Sequence, residues 1–200
     1  MGIKRGTLEV GSIFRGSVVI SKVYRGSTVI YELADGTFLE LIEDITVAGS
    51  AVTSVQFSGF TATKEDTLVL VSDINNTTGV GSHIYMYVNN NLTATNYYDQ
   101  FLQVNGTAVN GVRENNARLT YVEASSKMLS NAYIKLTNDG YFTVQSQNTR
   151  VYTGSGLFMF DEVISSTFTM TDITQLDVRA SVASAIGIGS RFQLYKIVGV

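Results

Sequence analysis

Few side chains in this 200-residue chain have the types and spacing needed for acid–base or nucleophilic chemistry. A Ser-His-Asp arrangement needs a histidine base, and His83 is the only histidine in the sequence. It lies in a predicted strand without the Gly-x-Ser-x-Gly turn that presents a serine nucleophile. The usual zinc sites need several His or Cys ligands, whereas cysteine is absent. We therefore expect His83 to be a packed or surface residue, with neither a hydrolase triad nor a zinc site around it.

Paired carboxylates would be another route to hydrolysis, because a glycosidase needs two of them about 5 to 10 Å apart. Asp161 and Glu162 are adjacent, so they point to opposite faces of any strand. Asp172 and Asp177 fall at a predicted turn and a predicted strand start. We expect no enzymatic activity and no cofactor.

A polar segment over 73–79, Asp-Ile-Asn-Asn-Thr-Thr-Gly, places oxygen atoms at alternating positions, as a calcium loop does. Its glycine is seventh rather than sixth, and Ile84 stands where an EF-hand needs a bidentate glutamate. This pattern favours an ordinary loop between strands, and we expect no metal site.

Aromatic side chains are concentrated in the middle of the chain. The candidate ligand or interface residues are Tyr85, Tyr87, Tyr97 and Tyr98. Tyrosines at the mouth of a β-sandwich can stack on sugar rings or anchor a protein interface. The spacing of Tyr85 and Tyr87 puts both on one face of a strand. Core packing or burial between subunits is the alternative for this group.

The N-terminal segment contains three copies of a ten-residue phrase, over 3–10, 13–20 and 23–30. Each copy places β-branched residues on both sides of a turn, which reads Arg-Gly-Thr in the first copy and Arg-Gly-Ser in the other two. Pieces this short cannot bury a face alone, so they must stack on other subunits, on the rest of the chain or on a larger assembly. The candidate assembly residues are Arg5, Arg15, Arg25, Tyr24 and Tyr31. The arginines could pair with carboxylates of a partner chain, or simply keep the turns soluble.

Composition predicts the fold class. Hydrophobic residues make up 44% of the chain, there are 18 glycines and no proline, and the strand-forming Val, Ile, Thr, Tyr and Phe are frequent. We predict an all-β protein, an antiparallel β-sandwich of jelly-roll type over 51–200, preceded by a small β-rich repeat module over 1–50 that acts as an anchor or collar. The net charge of −3 argues against nucleic acid, and the lack of a long apolar run argues against membrane insertion.

Short runs separated by Asn, Gly, Asp and Ser give the strands. We predict them over 54–60, 67–72, 83–89, 97–104, 117–123, 132–137, 141–149, 157–163, 175–180 and 191–198. Alternation puts Ala132, Ile134 and Leu136 on one side of their strand, and Asn138-Asp139-Gly140 turns it into the next. Residues 34–36 carry another hairpin turn signal, and one helical turn is expected within 122–130.

Three segments resemble proteins of phage particles. The run over 186–197, ending Phe-Gln-Leu-Tyr-Lys-Ile, resembles the closing strand of jelly-roll domains in phage fibre and virion-surface proteins. Asn96-Tyr97-Tyr98 is similar to that family too, and the segment over 22–32 resembles a Tyr-Arg-Gly-Ser-Thr element of phage virion proteins. The resemblance implies a homotrimeric appendage of the virion, with an N-terminal anchor and a C-terminal jelly roll.

Together these patterns favour a structural component of a bacteriophage virion, a tail fibre, collar or decoration protein that docks on the particle and oligomerises through β-structure. Its partners would be further copies of itself and other virion proteins, and its location the virion. The alternative is a receptor- or carbohydrate-binding module of a phage tail, which would recognise a host surface glycan during host attachment.

Overall fold

The computed structural model describes residues 13–15, 18–20, 22–25, 28–32, 38–105, 108–152 and 156–198. This part of the chain is built almost entirely of antiparallel strands. In chain order they are β1 Ile13–Arg15, β2 Val18–Ile20, β3 Lys22–Arg25, β4 Thr28–Glu32, β5 Phe38–Thr46, β6 Ser54–Thr63, β7 Thr67–Asn76, β8 Ser82–Val88, β9 Tyr97–Asn105, β10 Ala108–Glu114, β11 Arg118–Val122, β12 Ser126–Leu136, β13 Tyr141–Tyr152, β14 Gly156–Thr169, β15 Asp172–Ala180 and β16 Arg191–Val198. A 3-10 helix over Ala94–Asn96 precedes β9. Among these residues no helix is long and apolar enough to cross a membrane.

The chain divides into two compact units between Phe38 and Leu39. The first contains β1 to β4, and the second is Leu39–Val198. The sequence pattern predicts a boundary near residue 50, which lies beyond β5. In the structure β5 is a strand of the larger sheet of the second unit, next to β16.

In the first unit the strands form two antiparallel pairs. β1 pairs with β2, with Arg15 opposite Val18, and β3 pairs with β4, with Arg25 opposite Thr28. The second and third copies of the repeat therefore each give two short strands joined at the Arg-Gly-Ser step, with the arginine ending the first strand. The first copy, which includes Arg5, and the turn predicted over 34–36 lie outside the described residues.

The second unit is an antiparallel β-sandwich, which confirms the predicted all-β fold class. The large sheet has the order β10-β9-β14-β13-β12-β7-β16-β5, and the small sheet has the order β11-β8-β15-β6. The apolar core lies between the two sheets, and its largest fully buried side chains include Phe57, Phe142 and Phe192.

Alternation along the strands assigns most side chains to the core or to the outer face. In β12 Ala132, Ile134 and Leu136 are buried, whereas Tyr133 and Lys135 are exposed, as predicted. The same alternation starts at the first residues of β12, so the helical turn predicted over 122–130 is wrong.

β5 is held to β16 by side chains as well as by the sheet. Arg191 donates from Nε to Oδ1 of Asp44 at 2.9 Å, and Gln193 donates from Nε2 to Oδ2 of Asp44 at 3.1 Å. The ion pair with Arg191 lowers the pKa of the Asp44 carboxyl. One carboxylate thus bridges two positions of the neighbouring strand.

The turn between β12 and β13 needs the glycine that the sequence provides. Gly140 has a φ of +85°, in the left-handed region, and a Cβ atom there would lie 2.6 Å from the carbonyl oxygen of Met170. Gly49 has a similar φ of +76° but no atom within 4 Å of its Cβ position. The two glycines therefore share the backbone requirement and differ in steric crowding.

We predict that Gly140→Ala destabilises the protein more than Gly49→Ala does. Both variants place alanine in the left-handed region, which costs about 1–2 kcal/mol. Gly140→Ala must in addition move the backbone of Met170, so its loss in the free energy of unfolding is expected to be at least about 1 kcal/mol larger. Urea unfolding of both variants measures the difference. Equal losses would contradict the crowding at Gly140.

Candidate functional site

A cluster of charged side chains is buried at one end of the sandwich. Asp99 of β9 and Glu162 of β14 are each only 1% exposed, and both point from the large sheet toward the interior. Arg118 of β11, in the small sheet, is 5% exposed and lies between them. Charged groups this deeply buried are costly unless they are paired, so the cluster is the most distinctive polar feature of the described structure.

Arg118 is the centre of this cluster. Its Nη2 lies 2.9 Å from Oδ2 of Asp99, and its Nε lies 3.4 Å from Oε1 of Glu162. Its Nη1 lies 3.5 Å from Oε2 of Glu114, which is partly exposed. The guanidinium carbon stands 3.8 Å from the centre of the Phe101 ring, a cation–π contact. One guanidinium therefore faces three carboxyl groups and one aromatic face.

β11 takes its position from a bulge and from bonds to the large sheet. Its pairing with β8 shifts between Arg118 and Thr120, so that Arg118, Leu119 and Thr120 are all buried. The carbonyl oxygen of Leu119 accepts hydrogen bonds from Ser146 Oγ at 3.0 Å and from Asn148 Nδ2 at 3.1 Å. A bulge re-aims a side chain in this way without ending the strand.

Hydrogen bonding within the cluster is incomplete. Among the described residues, both carboxylate oxygens of Asp99, Oε2 of Glu162, and Nε and Nη2 of Arg118 are buried without a hydrogen-bond partner of good geometry. The short distance between Arg118 and Asp99 thus marks an attraction between charges rather than an aligned hydrogen bond. Each such atom costs roughly 1–3 kcal/mol when it stays unpaired.

Burial changes the protonation of the two inner carboxyl groups. It raises the pKa of Glu162 to about 8, although the nearby charge of Arg118 acts in the opposite direction. It also raises the pKa of Asp99, again against the effect of Arg118. At neutral pH the carboxyl group of Glu162 is therefore mostly protonated, which reduces the excess of negative charge around Arg118.

A cavity of about 430 Å³ lies beside the cluster. It is lined by His83, Phe101, Gln103, Arg118, Tyr121, Glu123, Arg150, Phe160 and Glu162. Its floor, formed by Arg118, Arg150, Phe160 and Glu162, is buried, and its remaining lining residues are partly exposed. Arg150 pairs with Glu123, Nη1 to Oε1, at 2.9 Å. The cavity thus presents two guanidinium groups and two carboxyl groups next to aromatic rings.

His83 and Tyr121 form part of the cavity rim. Their ring centres are 4.9 Å apart, and burial lowers the pKa of the His83 imidazole. A Cβ atom at Gly81 would lie 2.7 Å from Cζ of Tyr121, so the glycine leaves room for the phenol ring. His83 is therefore neutral at neutral pH and packed against an aromatic neighbour.

The four predicted tyrosines are not gathered in one site. Tyr97 is fully buried, and its hydroxyl donates to the Asn91 carbonyl at 2.8 Å; burial raises its pKa to about 12. Tyr87 is buried beside it, and Tyr85 is half-buried, 6.0 Å from Tyr87 between ring centres. Tyr98 is 41% exposed, with Arg113 stacked 5.0 Å from its ring centre.

Other candidates have simpler surroundings. Asp161 is exposed and Glu162 is buried, which confirms that they point to opposite faces. In the calcium-like loop Asn76 is buried, and its side-chain oxygen accepts from the amide and hydroxyl of Thr78. Within the described residues no group of three or more His, Cys, Asp or Glu side chains is placed to hold a metal ion. Arg15, Arg25, Tyr24 and Tyr31 lie in strands β1, β3 and β4.

Asp99 and Arg118 are not among the candidate residues predicted from the sequence. A usable signal exists for the carboxylates, since Tyr97-x-Asp99-x-Phe101 and Phe160-x-Glu162-x-Ile164 each place a charge in phase with inward-facing apolar residues. For Arg118 there is no such signal, because the bulge changes the phase of β11.

Comparison with protein-family models gives no match, and no curated protein matches the chain. The fold and the site therefore define the protein only as a class. It is an antiparallel β-sandwich that carries a buried arginine–carboxylate cluster beside a cavity.

We predict that Glu162→Gln flattens the pH dependence of stability. The pKa of this carboxyl is about 8 in the folded chain and near 4.5 ordinarily, so the folded state holds the proton more tightly. The free energy of unfolding should therefore fall as the pH rises between these values. Between pH 6 and pH 9 the wild type should lose about 2–3 kcal/mol relative to Glu162→Gln.

Urea unfolding at several pH values measures this difference. Asp161→Asn is the matched control, because Asp161 is the neighbouring residue on the exposed face. Its curve should run parallel to that of the wild type. If Glu162→Gln also ran parallel to the wild type, Glu162 would have an ordinary pKa.

Proposed function

We propose that the protein is a structural component of a bacteriophage virion that docks through its N-terminal repeats and oligomerises through β-structure. The observation that carries this proposal is the pairing of β1 with β2 and of β3 with β4 in a unit distinct from the sandwich. These strands are only three to five residues long. Two-stranded hairpins are at best marginally stable by themselves in water.

Short hairpins are well suited to docking, because their unpaired edges can accept strands of another protein. The repeat places Arg15 and Arg25 at equivalent positions, each ending the first strand of its pair. Arginine can bind a carboxylate with two parallel hydrogen bonds, so a regular row of them fits a regular acidic surface. A surface built from repeated subunits, such as a virion, offers that regularity.

The outer face of the large sheet supports oligomerisation. Leu129 and Tyr133 of β12 and Met159 and Val163 of β14 are each at least half exposed. The sheet register connects Leu129 to Met159 through Thr149, and Tyr133 to Val163 through Gln145. Exposed apolar side chains grouped on one face of a sheet favour an interaction surface there.

Replacing two of these residues tests the oligomer. We expect light scattering of the wild-type chain to give the mass of an oligomer, and the double variant Tyr133→Glu with Val163→Glu to shift it toward the monomer, because buried unpaired carboxylates oppose association. Val80→Glu changes a similarly exposed apolar residue outside the sheets and should keep the wild-type mass. A wild-type monomer at all concentrations would contradict this part of the proposal.

Docking is tested with particles purified from a phage whose gene for this protein has been deleted. The added wild-type chain should sediment with the particles, and Arg25→Glu should reduce its recovery several-fold, because an acidic surface repels the new charge. Lys64→Glu makes the same charge change at an exposed position between β6 and β7 and should bind as the wild type does. Absence of the wild-type chain from the particle fraction would refute a virion role.

A further inference from the structure

We infer that the cavity between β8, β9, β11, β13 and β14 is a binding site for a single neutral sugar ring, such as the terminal unit of a glycan. This inference goes beyond the assembly role and does not depend on it. It locates carbohydrate recognition, the alternative function predicted from the sequence, in this cavity. Four features of the cavity support it: an unpaired polar atom, the pairing of the charges, the aromatic rings and the volume.

The floor of the cavity holds an unsatisfied polar group. Glu162 is 1% exposed and lines the cavity, and its Oε1 faces Arg118 while its Oε2 has no hydrogen-bond partner in the described structure. Buried polar groups are nearly always hydrogen-bonded, so an unpaired one next to open space indicates a missing partner. A ligand hydroxyl can donate to this carboxyl group in either protonation state, and it can also accept from the group when the group is protonated.

The pairing of both guanidinium groups with carboxyl groups disfavours anionic ligands. Arg118 faces Asp99, Glu114 and Glu162, and Arg150 faces Glu123. Carboxyl groups thus outnumber guanidinium groups around the cavity, and each guanidinium already has a carboxylate beside it. A phosphate or a sugar acid would have to compete with these carboxyl groups for the guanidinium groups, whereas a neutral polyol meets both donors and acceptors.

Aromatic rings complete the lining. Phe101 has Arg118 over one face, and His83 and Tyr121 pack together at the rim. A few polar groups set among aromatic side chains are typical of small-molecule sites, which span roughly 300–1,000 Å³. At about 430 Å³ the cavity is near the lower end of that range, so it fits one ring better than an extended chain.

The single histidine makes the site directly observable. Because His83 lines the cavity and no other histidine exists in the sequence, its imidazole proton signals in an NMR spectrum report on this cavity alone. The full-length chain would be titrated with the methyl glycosides of glucose, galactose, mannose and N-acetylglucosamine. Glucuronate and inorganic phosphate serve as anionic comparators.

We expect at least one neutral glycoside to shift the His83 signals in a saturable way, and the anions to leave them unchanged at the same concentration. Glu162→Gln should weaken the binding at least about tenfold, since it alters the unpaired group on the floor. Asp161→Asn, on the opposite face, should bind as the wild type does. No response to any of the four glycosides up to tens of millimolar, or an equal response to the anions, would overturn the inference.

A second pair of variants covers the case in which Glu162→Gln fails to fold. Gly81→Ala forces the Tyr121 ring to move, whereas Gly79→Ala has no atom within 4 Å of its new Cβ. Gly81→Ala should therefore weaken glycoside binding and Gly79→Ala should leave it unchanged. Equal binding by the two variants would remove Tyr121 from the site and overturn this assignment of the rim. Neither result alters the mass or the particle binding of the chain, so a failure here is separate from a failure of the assembly role.

Discussion

The burial of one guanidinium group between two sheets is the constraint on which this end of the sandwich depends. Arg118 can stay in the interior only because Asp99 and Glu162 face it from the large sheet. Removing Arg118 or Asp99 would leave an uncompensated buried charge, whereas Glu162 is mostly protonated at neutral pH and supplies a polar partner. The cluster therefore fixes where β11 lies over β9 and β14. It does so through interactions between charged and polar side chains, whereas the rest of the interior is held by apolar packing.

The same constraint explains why a cavity forms there. β11 is an edge strand of the small sheet, and the large sheet carries polar side chains below it, including Ser146 and Asn148. These polar side chains interrupt the apolar packing, and the bonds from Ser146 and Asn148 to the Leu119 carbonyl help to hold the strand in place. A sandwich with a fully apolar interior would have no reason to leave this space unfilled.

Sequence patterning could predict the elements whose signals are local. The alternation in β12 and the glycine at position 140 suffice to place a hairpin, and the inward alternation of Phe192 and Leu194 identifies β16. β10 escapes prediction because Asn110 and Gly111 lower its strand propensity, although pairing with β9 stabilises it.

The charged cluster escapes prediction for another reason. Its members come from three strands, and their proximity follows from sheet order and from the bulge in β11 rather than from spacing along the chain. The predicted tyrosines illustrate the converse. Tyr85 and Tyr87 do share a face, but composition alone does not distinguish the fully buried Tyr97 from the exposed Tyr98, which follows it directly. Adjacent residues of a regular strand point to opposite faces of the sheet, which gives Tyr97 and Tyr98 opposite environments.

β5 begins at Phe38, in the first unit, and continues to Thr46 in the second, so one continuous strand crosses the boundary between them. The covalent link between the two units therefore runs directly into the edge strand of the large sheet. The bridge from Asp44 to Arg191 and Gln193 adds side-chain bonds to the pairing of that strand with β16. The residue at which one unit ends is thus also the first residue of a strand in the other unit's sheet.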